Sequence, residues 1–108
     1  MIEIIRLRAT VGAAAVESPI GELACPEKEA ITVLEVFGYT AAAGLIKGFF
    51  KQRKLDEMDS LAMPTALARV VKNLVMVAGD KYNFVGTDTS GGANIMIVGL
   101  VIDRVTTA

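Results

Sequence analysis

Residues 30–50 read AITVLEVFGYTAAAGLIKGFF, a stretch whose only charges are Glu35 and Lys47. Ala30, Val33, Leu34, Phe37, Ala41, Leu45 and Phe49 recur at helical spacing, and Ile31, Val36, Ala43 and Phe50 make the opposite side apolar as well. A helix that is apolar all round has to be covered over most of its surface. The spacing therefore predicts a helix that opens at Pro26-Glu27-Lys28-Glu29 and fades by Met58. Proline suits the first turn, and the two acids suit its positive end. Gly38, Gly44 and Gly48 each weaken an isolated helix by ~1 kcal/mol relative to Ala, a cost offset when a second backbone approaches closely. Val36, Ala41, Ala43, Gly44, Gly48 and Phe50 are accordingly the candidate interface.

Outward from this segment, residues 4–11 alternate. Ile5, Leu7, Ala9 and Val11 face one way, and Arg6, Arg8 and Thr10 the other, the period of a half-buried strand. Residues 12–27 hold Pro and Gly among small residues and read as an irregular connection or arm. A second helix is expected from about Pro64 to Ala78, with Leu67, Val70, Val71, Leu74 and Ala78 as its buried stripe. Residues 81–86 read as a short strand, Thr87 to Asn94 as a turn-rich loop, and the branched apolar run at 95–102 as a strand covered on both faces. The last two strands most simply pair as a hairpin. The expected architecture is one α+β domain spanning 1–108: strand, helix, helix, hairpin, with the helices on a short, mainly antiparallel sheet.

The chain has 108 residues, 53% of them hydrophobic, and a net charge of −1. That composition excludes an intrinsically disordered chain and leaves no long-range field to attract nucleic acid. The basic cluster Lys47, Lys51, Arg53, Lys54 lacks interleaved aromatics, so no nucleic-acid partner is expected. No signal-peptide pattern occupies residues 1–15, and the default expectation is a protein that stays, or is assembled, inside the cell.

Candidate chemistry is sparse. Histidine is absent, and Cys25 is the single cysteine, so neither a Cys/His metal set nor a His-activated nucleophile can be assembled. The loop at 86–92 offers Asp88, Ser90, Gly91 and Gly92 as a possible ligand loop. A strand rather than a helix follows it, and no Lys does, against phosphate cradling. One carboxylate is too few for a hard cation. Glu35 is costly inside an apolar helix unless it is exposed or paired with a neighbour's cation.

The sequence thus points to a structural, self-assembling subunit of a homo-oligomeric shell, virion or filament, without catalysis or cofactor. Its apolar surface exceeds what a small domain can bury. Two alternatives stand beside this reading. One is a membrane-associated protein with residues 30–50 as a membrane helix. The other is a small ligand-binding or regulatory domain with an intersubunit pocket.

Overall fold

The computed structural model describes residues 1–12, 17–59 and 67–107, with backbone alone at 58, 59 and 67–71. It is an all-β structure with no helix among the described residues. Eight strands follow in chain order: β1 Ile2–Val11, β2 Ser18–Ala24, β3 Glu29–Thr40, β4 Gly44–Phe50, β5 Arg53–Asp59, β6 Leu67–Met76, β7 Lys81–Asp88 and β8 Asn94–Thr106. They form two four-stranded antiparallel sheets, sheet A in the order β1-β8-β3-β6 and sheet B in the order β2-β7-β4-β5. Apart from the β4–β5 hairpin, every connection leads from one sheet to the other. This strand order is that of a double-sheet jelly roll.

The α+β expectation is therefore overturned. The first predicted helix is β3, β4 and β5; the second falls largely on β6 where it is described, its first residues, 64–66, lying outside the described residues. Segment 12–27 contains β2 rather than being irregular throughout. Strands β7 and β8 do not pair as a hairpin but belong to different sheets, β8 lying between β1 and β3.

The physical reason for the helical misreading is visible in β3. Ile31 and Val33 point inward, a bulge between Val33 and Glu35 inserts one residue, and Val36, Gly38 and Thr40 resume the inward phase. The bulge turns a spacing of two into a spacing of three and so mimics a helix turn. The true phase carries β-branched Ile31, Val33 and Val36, side chains that suit a pleated surface.

The core fills the space between the sheets. Ile31, Val33 and Val36 of β3 and Met96, Val98, Leu100 and Ile102 of β8 meet Tyr82 and Phe84 of β7 and Ile46 of β4, all essentially inaccessible to solvent. Tyr82 and Phe84 stack with ring centroids 4.5 Å apart. The alternation read in residues 4–11 is that of β1, with Ile5, Leu7 and Ala9 packed against this core.

Among the described residues, the inward Thr40 hydroxyl is without a hydrogen-bond partner. A buried hydroxyl without a hydrogen bond forfeits its solvation, whereas valine has nearly the same shape. Thr40→Val is expected to stabilise the fold by about 1 kcal/mol, read as a rise in the urea unfolding midpoint at unchanged m-value.

Candidate functional site

Three constellations merit a functional reading. The first closes one end of the sandwich, where the β3–β4 connection (residues 41–43) passes beside the β7–β8 connection (residues 89–93). Asn94 donates from Nδ2 to the carbonyls of Ala42 and Ala43 and accepts from the Ala42 amide, each at 3.0 Å. The buried Asp88 carboxylate accepts from Ser90 Oγ at 2.6 Å, from the Ser90 and Gly91 amides, and from Asn94 Nδ2 at 3.1 Å. Of the expected ligand-loop residues, Asp88 is interior while Ser90, Gly91 and Gly92 are exposed. The carboxylate's acceptor positions are engaged by its own loop.

The Ser90 hydroxyl first, with Asn94 and the loop amides against the opposing effect of burial, holds the Asp88 carboxyl below the usual aspartate range. A folded-state value below the unfolded one stabilises the fold above pH ~3.9 and ceases to as pH falls through the folded value. Asp88→Asn is expected to lower Tm at neutral pH, with the gap to wild type closing below pH 4. Thermal scans from pH 2 to 7 measure it.

The second constellation joins the sheets. Lys72 Nζ of β6 lies 2.6 Å from Asp56 Oδ1 of β5, and the Tyr82 hydroxyl donates to Asp56 Oδ2. Asp56 is 4% exposed and Tyr82 wholly buried. Both oxygens of the Asp56 carboxylate are thus engaged, one by Lys72 and one by Tyr82.

Cys25 is also interior. Burial, followed by the charge of Glu29, pushes its thiol up, and Sγ donates to the Glu29 carbonyl at 3.3 Å. Such a thiol packs rather than reacts. Among the described residues, no cluster of His, Cys, Asp and Glu is arranged to hold a metal ion.

The third constellation is the outer face of sheet A. Outward side chains alternate with the buried ones: Ile2 and Ile4 on β1, Ile95, Ile97 and Val101 on β8, Phe37 and Tyr39 on β3, and Val75 on β6. Ile4 is 73% exposed, Ile2 60% and Val75 57%. A hollow of about 410 Å³ runs along β8, floored by Ile97 and Gly99 and walled by Ile4 and Arg6 on one side and Phe37 and Tyr39 on the other. Glu35 is on this face too, half-buried opposite Val101.

The outer face of sheet B differs. Lys47 pairs with Glu17 at 2.8 Å and Lys54 with Glu57 at 3.0 Å across it, with Glu22 and Lys81 exposed nearby. A larger, open hollow of about 670 Å³ lies there, lined by Pro19, Glu22, Phe49, Gln52, Asn83 and Val85 among others.

The candidate interface residues read from residues 30–50 do not share a face. Val36, Gly44 and Gly48 point between the sheets, Phe50 packs at the core's margin, and Ala41 and Ala43 belong to the β3–β4 connection. Residues 30–50 are two strands and the connection between them, and no helix among the described residues is long and apolar enough to cross a membrane. Ile2 and Ile4 are exposed apolar residues outside the candidate set. Continuing the β1 alternation back from Arg6 puts both on the outward side.

No family model and no curated protein sequence matches the chain. Among solved structures, the chain is similar to one from the acidic stable capsid of Helicobacter pylori bacteriophage KHP30, at 11% identity and a TM-score of 0.53, covering 97% of this chain and 98% of that one. It also matches the dimeric latent PorU of Porphyromonas gingivalis at 10% identity and a TM-score of 0.44, covering 94% of this chain but 13% of that one. The first likeness is one of fold along essentially the whole length of both chains.

Proposed function

We propose that this chain is a structural subunit that assembles with further copies of itself into a shell, such as a virion coat. The observation that carries the reading is the apolar outer face of sheet A. Ile2, Ile4, Tyr39 and Val75 stand exposed on it, and exposed apolar residues gathered on one face commonly mark a protein interface. The fold likeness to a chain of a phage capsid, end to end in both molecules, supports the same reading. So does the use of jelly rolls as shell-building units in viral capsids generally. The buried Asp88 loop and the Lys72–Asp56–Tyr82 group fit a role in rigidity, since each ties one sheet or connection to another. A shell unit has to hold its shape while its edges are loaded.

The test is the molar mass in detergent-free buffer. Light scattering on the eluting protein at about 10–100 µM is expected to give a discrete multimer. A monodisperse, folded monomer across that range overturns the proposal.

A further inference from the structure

We infer that the outer face of sheet A is where a second copy of this chain docks, with Ile4 of one copy seated in the hollow above Gly99 of the next. The inference rests on the assembly reading and assigns it a surface.

Size is the first argument. Strands of ten to thirteen residues, rising ~3.3 Å per residue and spaced ~4.8 Å apart, give a four-stranded face of about 650 Å² in projection. That footprint is of the same order as the ~800 Å² per partner that a standard stable interface removes from water.

Shape is the second. The hollow exists because β8 carries Gly99 where an outward side chain would otherwise stand, between Arg6 of β1 and Phe37 of β3. Beside it rises Ile4, 73% exposed and one outward position along β1 from Arg6. A ridge and a hollow on the same patch are self-complementary. Two copies facing each other each supply what the other lacks, the geometry of an isologous contact.

Charge is the third. The floor of the hollow, Ile97 and Gly99, and its Phe37 wall carry no charge; Arg6 and Arg8 lie along the β1 margin, and Glu35 is half-buried on β3 opposite Val101. The contact between Ile4 and the floor of the hollow is thus apolar, with charged groups around it. Sheet B, crossed by ion pairs that docking would have to desolvate, is the less suited face.

The experiment compares Ile4→Glu and Gly99→Glu with wild type and with Gly99→Ala. A Cβ at Gly99 meets Phe37 Cδ2 at 3.4 Å, ordinary contact, so the alanine variant keeps the fold and most of the hollow. Both glutamates point outward, and an unchanged urea midpoint in the dissociated state confirms folding. Self-association measured by light scattering and dilution is expected to weaken roughly tenfold or more in each glutamate variant and to change little in Gly99→Ala. Independently, Ile4→Cys and Gly99→Cys chains are mixed under mild oxidant. They are expected to yield a disulfide-linked pair faster than either variant alone, Cys25 being buried. A wild-type multimer that both glutamate variants leave intact, with no preferential cross-link, overturns this inference and leaves the assembly reading standing. A monomeric wild type overturns both.

Discussion

Lys72→Met is expected to cost the fold about 3 kcal/mol, because it strands the Asp56 carboxylate in the interior with, among the described residues, the Tyr82 hydroxyl as its remaining partner. In a domain of this size that loss corresponds to a fall in Tm of roughly 15 °C. The Lys72 side chain keeps 13% of its accessibility and the Asp56 side chain 1%, so the penalty falls on the aspartate. Substituting both partners, Asp56→Leu with Lys72→Met, removes the uncompensated charge. It is expected to return stability to within about 1 kcal/mol of wild type. Urea unfolding of the three variants measures the cycle. A single-variant loss below 1 kcal/mol contradicts the placement of a buried, inter-sheet ion pair.

The second large effect is steric. Gly48 faces inward on β4, directly opposite Asp56. A Cβ there would stand 2.7 Å from Asp56 Oδ2, 2.8 Å from Phe84 Cε1 and 3.1 Å from Tyr82 Cε1. None of these atoms can swing aside. The carboxylate is held by Lys72 and Tyr82, and the two rings are stacked. Gly48→Val is expected to destabilise by about 3 kcal/mol through overpacking, again read from the urea midpoint. Because Gly48 and Lys72 act on the same carboxylate, their losses are expected to be non-additive when combined.

What the sequence made legible divides along physical lines. Strand β1 was readable because one of its faces is wet, so apolar and polar residues alternate cleanly. Strand β8 was readable as a strand because its branched apolar run has no other stable home. Strands β3 and β4 were not, for two reasons. The bulge near Leu34 imitates a helical repeat. In addition, the turn between β4 and β5 is made by Lys51 and Gln52, both at positive φ (51° and 64°), where Asn-Gly would have announced a hairpin. Strand pairing was out of reach in principle. Strands β7 and β8 are joined by a short Gly-rich loop, the usual sign of a hairpin. The switch between sheets depends on Asn94, braced by Asp88, gripping the backbone of Ala42 and Ala43, 52 and 51 residues away.

For the candidate site, the apolar richness of the chain was legible. The residues that express it were not, because phase decides which side chains face out. Read as a helix, residues 30–50 put Val36, Gly44 and Gly48 at a contact. Folded as strands they turn these inward and present Phe37 and Tyr39 instead.

The position of β8 in sheet A also governs how the chain can acquire its shape. β8 lies between β1 and β3, yet a ribosome produces it after the other seven strands. Until it emerges, the nascent chain holds two strands whose shared neighbour does not exist, and Ile2 must await a partner about a hundred residues downstream. Pairings so distant along the chain fold slowly and leave unpaired edges open to the wrong neighbour. In this architecture β8 acts as a keystone, and removing it would leave β1 and β3 without the pairing that unites them.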